Sequence, residues 1–221
     1  MEVIIIQAVA VVLAYLIGSI PTSVWFGKLF YGIDLRDHGS GNAGATNALR
    51  VFGNKAGILV LLIDAIKGWA AIKLSLISID AFANPEGFVL YQLLLAASVL
   101  LGHVFPLFAG FRGGKGIATL AGIAVAMFPW AILISVGVFI IVFLLTRYVS
   151  LGSLSGSFAF ALSVILILPG ALISETVFAI AVALFVPITH KKNIRRLIRG
   201  EENRLVFRKK GIAEELKDKQ D

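Results

Sequence analysis

The 221-residue chain contains no cysteine. Disulfides, thiolate catalysis and cysteine-ligated zinc are therefore excluded. Charge is scarce as well. Asp, Glu, Lys and Arg make up 15% of the residues, against about a quarter in an ordinary soluble domain. Period-2 alternation of apolar and polar residues, the mark of membrane barrel strands, is also missing. What remains is 58% hydrophobic, with a mean hydropathy of +0.93. The apolar runs are continuous, and several approach the roughly 20 helical residues that cross a bilayer core. In lipid, backbone groups are satisfied only by helices or closed barrels. The expected fold is therefore all-α, a polytopic integral membrane protein.

Hydrophobic runs predict helices over about 3–27, 56–79, 88–107, 117–128, 131–146, 150–168 and 176–190. The stretch 117–146 exceeds one span and falls short of two full ones. Charge parity divides it. Lys28, Arg36, Arg50, Lys55, Arg112, Lys115, Arg147 and the C-terminal tail carry the basic residues, while 80–87 and 169–175 carry none. Cytoplasmic loops hold the Lys/Arg excess. An even number of crossings must then separate Lys115 from Arg147, which makes Phe128-Pro129-Trp130 an outer turn. This predicts seven transmembrane helices, two of them short, with the N-terminus outside and the C-terminus cytoplasmic. Glu2 and the absence of a basic leader favour a retained first helix over a cleaved signal. The expected organisation is one transmembrane catalytic domain over 1–199 and a charged cytoplasmic tail over 200–221. Eleven of the twenty Lys and Arg residues fall in 191–219. Most of these serve as topology anchors, and some favour anionic headgroups.

Three polar segments interrupt the apolar chain. Gly39-Ser40-Gly41-Asn42-Ala43-Gly44-Ala45-Thr46-Asn47 packs three glycines, two asparagines, a serine and a threonine between Arg36 and Arg50. Exposed amides, short donors and cationic ends make an anion site, most naturally for phosphate. Gly113-Gly114-Lys115-Gly116 precedes a helix and repeats the theme, without being a Walker A loop. Alone it is weak evidence. The third segment is His190-Lys191-Lys192-Asn193-Ile194-Arg195-Arg196-Leu197, in which His190 and Asn193 share a helix face. Asp64 and Lys67, spaced i, i+3 inside an apolar helix, read foremost as a structural ion pair and otherwise as support for the first loop. Lys73 is expected to snorkel outward. His38 and His103 receive no role.

In the order and spacing of these segments the chain resembles the bacterial acyl-phosphate:glycerol-3-phosphate acyltransferases, the PlsY family. The resemblance extends through Gly18-Ser19-Ile20-Pro21, Tyr148-Val149-Ser150-Leu151 and Gly200-Glu201, covering about residues 3–203. Lys192 departs from it, standing where an acidic residue is expected. The resemblance implies transfer of a fatty acyl group from acyl phosphate to the 1-hydroxyl of sn-glycerol 3-phosphate, giving lysophosphatidic acid and inorganic phosphate. Both substrates carry phosphate, and two anion sites are in hand.

On this reading Ser40, Gly41, Asn42, Gly44, Thr46 and Asn47 bind acyl phosphate. Arg50, Gly113, Gly114, Lys115, Gly116, Ser150, His190 and Asn193 bind glycerol 3-phosphate. Ser40, Lys115, His190 and Asn193 form the catalytic set. Attack is expected to be direct, with no covalent acyl-enzyme, no metal and no cofactor. The attacking hydroxyl gives its proton to a substrate phosphate or to His190; the sequence leaves both open. Expected partners are the bilayer and an enzyme that supplies acyl phosphate, with no nucleic acid, and the expected location is the bacterial plasma membrane. His-x-x-x-x-Asp, associated with acyl-CoA-dependent glycerolipid acyltransferases, is absent: Ala43, Phe108 and Arg195 stand five residues after the three histidines. A phosphate transporter and a metal-dependent phosphatidyltransferase are the rival readings. The first lacks an internal repeat and the second an Asp-rich signature.

Overall fold

A computed structural model describes residues 1–167 and 171–207. Every regular element among them is helical. In chain order the α-helices are α1 (Glu2–Gly18), α2 (Thr22–Tyr31), α3 (Ala45–Phe52), α4 (Asn54–Lys73), α5 (Pro85–Val104), α6 (Ile117–Met127), α7 (Pro129–Thr146), α8 (Val149–Leu166), α9 (Ile173–Thr189) and α10 (Lys191–Ile198). Short 3-10 turns cover Leu35–Asp37, Leu74–Ala81 and Leu107–Ala109. Among the described residues α5, α7 and α8 are each long and apolar enough to cross a membrane. The bent pairs α1–α2 and α9–α10 raise that number to five, and α6 is a shorter apolar helix. The expected tail beyond Phe207 lies outside the described residues, as does the end of the helix expected to reach 168.

The chain divides into two compact units. The first holds Met1–Ser78 and Leu94–Ile123. Here the expected helix over 3–27 is two helices, bent by 43° at Ser19–Pro21. Pro21 is the cause: it donates no amide and disfavours helical geometry at Ile20. At the break Lys67 Nζ donates to the carbonyls of Gly18 and Ile20, at 3.3 and 2.7 Å, the second of which also accepts from the Thr22 amide. Lys67 also pairs with Asp64 at 2.8 Å, and Thr22 Oγ1 donates to the same carboxylate oxygen at 2.8 Å. A buried charge is tolerated only when paired and hydrogen-bonded. The two charges inside α4 thus stitch the broken α1–α2 pair to it, in keeping with the structural reading of their spacing. Lys73 lies over the Trp69 ring, 5.6 Å from its centre. The helix expected over 56–79 ends at Lys73 and continues as 3-10 turns, with Ser78 out of helical geometry.

Helices in this unit approach closely through glycine. A side chain on Gly18 would strike the Val99 carbonyl of α5, and one on Gly102 the Tyr15 carbonyl of α1. Such small-residue contacts are how helices associate in lipid, where burial supplies no drive. A separate aromatic core forms where α2, α3 and α4 meet. Leu35, Val51, Phe52 and Val60 are buried there, and Tyr31 stacks on Phe52 at 4.6 Å.

The second unit holds Ile79–Leu93 and Ala124–Leu205. The break expected over Phe128-Pro129-Trp130 narrows to Phe128: α6 ends at Met127 and α7 already opens at Pro129, because proline fits the first turn where its missing amide costs nothing. α7 packs on α8 and α8 on α9. Ser135 Oγ of α7 donates to the Gly156 carbonyl of α8 at 2.8 Å. Phe128 meets Phe160 edge-on at 5.4 Å and stacks on Phe178 at 5.8 Å. α9 and α10 meet at an angle of 64°.

Candidate active site

The first polar segment is a loop that turns into a helix. Asp34 caps the 3-10 turn by accepting from the Arg36 amide at 3.0 Å. Gly39 and Gly41 follow with φ of +60° and +73°, a region that disfavours any side chain. Asn47 then closes the loop on itself. Its Oδ1 accepts from the Ser40 amide at 2.9 Å, while its Nδ2 donates to the carbonyls of His38 at 2.9 Å and Leu35 at 3.2 Å. Asn47 is 1% exposed, so its amide is spent on shaping the loop. The sequence reading took 39–47 as loop throughout; Ala45, Thr46 and Asn47 instead form the first turn of α3, which starts after Gly44. Thr46 and Arg50 therefore lie one turn apart on one helix face, both half-buried. Ser40 and Asn42 are half-buried and Gly41 is exposed.

Arg36 is not the flanking cation that its position suggests. Its Nε and Nη2 grip Asp34 at 3.0 and 2.7 Å. Its Nη1 donates to the Ala109 and Arg112 carbonyls at 2.7 and 3.3 Å. The guanidinium thus ties the 34–36 turn to the 109–112 segment. The Arg36 hydrogen bond holds the Asp34 carboxyl down at about 2, against an ordinary 3.8, with burial working the other way. The same pair pushes Arg36 above its ordinary value.

The second polar segment lies in the same unit. The amides of Gly113 and Gly114 do not point outward as an anion cradle would require. They donate to the carbonyls of Val104 and His103, at 3.1 and 3.2 Å. What the segment offers an anion is the half-buried Lys115 and the start of α6, where Gly116, at φ +79°, accepts from the Leu120 amide.

The third segment belongs to the second unit and is organised by a residue the sequence reading passed over. Glu202 is 8% exposed. Its Oε1 accepts from Ser150 Oγ and from Asn193 Nδ2, each at 2.8 Å, and its Oε2 lies 3.2 Å from Arg196 Nε. The chain reaches this point through a helix-ending turn: Gly200, at φ +70°, donates to the Leu197 carbonyl, and the Glu201 amide to that of Arg196. Residues just past 200, expected as tail, are packed instead. The Leu205 amide donates to the Arg147 carbonyl at 2.9 Å, and Arg204 lies over the Tyr148 ring. Gly200 after a cationic helix was the available signal, but Glu201 and Glu202 cannot be told apart by sequence alone.

His190 sits at the joint between α9 and α10 and is 2% exposed. Its Nδ1 lies 2.8 Å from the Val186 carbonyl. A carbonyl only accepts, so Nδ1 carries a proton, and in the neutral imidazole Nε2 carries the lone pair. Ser150 spends its single O–H on Glu202, so it can meet a ligand only as an acceptor.

The model of one protein family, glycerol-3-phosphate acyltransferase, matches residues 8–200. The chain belongs to this family. Curated members include the glycerol-3-phosphate acyltransferase of Chlorobium phaeovibrioides, 41% identical over 89% of this chain and 95% of its own. That of Enterococcus faecalis is 42% identical over 90% and 92%. Among solved structures, the fold resembles PlsY, an integral membrane glycerol 3-phosphate acyltransferase, in its glycerol 3-phosphate form. The TM-score is 0.78 and the identity 34%, over 90% of this chain and 96% of that one. A form with lysophosphatidic acid gives a TM-score of 0.77 at 33% identity. The family membership inferred from the three motifs is confirmed, as is an all-helical integral membrane fold.

Proposed function

We propose that this protein transfers a fatty acyl group from acyl phosphate to the 1-hydroxyl of sn-glycerol 3-phosphate. Family membership supports the acceptor and the class of reaction. The donor rests on the chemistry of the loop, where Ser40, Asn42 and Thr46 are ranged around the start of α3 with Arg50 one turn further on, and on the absence of the His-x-x-x-x-Asp signature. The observation that carries the reading is Asn47: a buried amide whose donors and acceptor all fix the backbone of a glycine-rich loop. Such preorganisation is what a site for developing phosphate charge requires.

In the proposed reaction the acceptor oxygen attacks the acyl carbonyl carbon, and the bond from that carbon to the phosphate oxygen breaks. Inorganic phosphate leaves with the electron pair. A mixed anhydride is already activated, so no acyl-enzyme is needed, and holding the two substrates in line supplies much of the rate. Ser40, Gly41, Asn42, Gly44 and Thr46 hold the acyl phosphate, over the loop that Asn47 shapes. Arg50, Lys115, Gly116, His190 and Asn193 hold glycerol 3-phosphate, with Ser150 accepting from a glycerol hydroxyl. Gly113 and Gly114 serve by placing Lys115. The hydroxyl proton goes to a substrate phosphate. The lone pair on His190 Nε2 favours a second version, in which His190 takes it; this version fails if His190→Ala keeps kcat within about tenfold, since a general base is worth about 10²–10⁴.

The parity of basic residues among the loops supports seven spans with the N-terminus outside and the C-terminus cytoplasmic, in a bacterial plasma membrane. Residues 1–199 are read as one catalytic domain. The acyl chain lies in an apolar groove open to the bilayer, and an enzyme supplying acyl phosphate is the expected partner. The test is phosphate release by the purified protein from palmitoyl phosphate, with and without glycerol 3-phosphate. Release that depends on the acceptor and yields lysophosphatidic acid is expected. Turnover with acyl-CoA instead would overturn the donor. Silence with both donors, together with phosphate counterflow in vesicles, would move the reading to transport.

A further inference from the structure

His103 has no assigned part in the chemistry, yet it meets the second polar segment with both its main chain and its ring. It is the next-to-last residue of α5 and is 7% exposed. Its main-chain carbonyl accepts from the Gly114 amide, so the glycine segment doubles back along the end of the helix. Its imidazole fills the space beneath that segment. Nδ1 lies 3.1 Å from Thr119 Oγ1 and 3.9 Å from Asp64 Oδ1. Thr119 and Asp64 are themselves buried. Asp64 is in turn fixed by Lys67 and Thr22, and Lys67 by the carbonyls at the α1–α2 break.

The other edge of the ring closes a slot. A Cβ on Gly114 would overlap His103 Nε2 and come within 2.9 Å of the Ala43 carbonyl. Gly114 therefore threads between the imidazole and the first polar loop, with no room for a methyl group. Lys115, the next residue, is thus joined directly to the residue that lies between the ring and Ala43, in the middle of the Gly39–Asn47 loop.

We propose that His103 is a positioning residue: wedged on Thr119 and Asp64, it sets the spacing between the Gly39–Asn47 loop and Lys115, and through it the affinity for the phosphate that Lys115 holds. The inference rests on the reading of Lys115 given above. The His103 ring is taken up by Thr119, Asp64 and the underside of Gly114, and it acts through Gly114. A shift of about 1 Å at a binding group is enough to cost up to 10²-fold.

Two readouts test it. In kinetics, His103→Ala should raise KM for glycerol 3-phosphate about tenfold or more, with kcat per folded enzyme changed less than about threefold. His103→Gln, whose longer amide reaches the Nε2 position, should recover most of the loss. A purely structural role would instead lower folded yield and kcat together and leave KM unchanged, and that result overturns the proposal. In thermal melts, Gly114→Ala should destabilise alone, and part of that loss should return in the Gly114→Ala/His103→Ala double variant, because removing the ring opens the slot. Strict additivity of the two changes would also overturn the proposal. The melt does not depend on catalysis. If the wild type fails to turn over acyl phosphate and glycerol 3-phosphate while the melts remain coupled, it is the acyltransferase reading that fails, and not the slot.

Discussion

The two units use polar groups in opposite ways. In the first, side chains capable of binding an anion are spent on backbone. Asn47 holds the carbonyls of Leu35 and His38 and the amide of Ser40, and Arg36 holds those of Ala109 and Arg112. The result is a loop whose shape is fixed and whose short donors are presented by that shape. In the second, the backbone is ordinary helix and the side chains are gathered by one acid: Ser150, Asn193 and Arg196 converge on Glu202. The first arrangement resists change because many weak bonds share the load. The second hangs on a single carboxylate.

Glu202→Ala should therefore be the most damaging single change. It strips the acceptor from a buried amide and a buried hydroxyl and the ion-pair partner from a guanidinium, and removing one partner of a buried pair typically costs about 3–5 kcal/mol. A large fall in melting temperature in detergent is expected, with Glu202→Gln milder. A melt unchanged in the alanine variant would break the contrast. Asn47→Ala should come next. It leaves the Ser40 amide without its acceptor and takes the second donor from the Leu35 and His38 carbonyls, which keep the His38 and Gly41 amides, so the cost should be about 1–3 kcal/mol. On the proposal that the loop holds acyl phosphate, KM for acyl phosphate should rise as stability falls. Arg50→Ala should lower kcat/KM per folded enzyme by roughly 10- to 10²-fold, the worth of a charge-assisted hydrogen bond of about 1.5–3 kcal/mol.

The smallest expected effect is on acid stability. Asp34 is held at about 2 against an ordinary 3.8. A depressed carboxyl stabilises the fold above its ordinary value and loses that contribution as pH falls toward its folded value. The difference in melting temperature between wild type and Asp34→Asn should be constant above about pH 4 and shrink between there and about pH 2. A difference independent of pH would show that the Arg36 pair does not survive in solution.

These contrasts also mark what the sequence could reveal. Long apolar runs, the Pro129 break and the three polar segments follow from composition and periodicity, and they led to the right fold class and family. The ion pair of Asp64 and Lys67 was legible because charge inside an apolar run must be paired. Partner choice was not legible. Arg36 reads in sequence as a flanking cation of the first loop, yet it is tied to Asp34 and to carbonyls more than seventy residues away in the chain, and only folding decides that. The same holds for Gly113 and Gly114: glycine-rich composition signals close approach, and it is the end of α5, not a ligand, that takes their amides. Pro21 could have given the α1–α2 break, but a hydrophobic run masked it. Glu202 was hidden by its neighbour Glu201 and by a basic tail that reads as solvated.

The most direct test of the account is a rapid-mixing experiment with enzyme and palmitoyl phosphate at comparable concentrations. Without acceptor, no burst of phosphate and no acylated protein should form; once glycerol 3-phosphate is added, phosphate and lysophosphatidic acid should appear together in equal amounts. A phosphate burst equal to the enzyme present, with the acyl group retained on the protein, would contradict direct transfer.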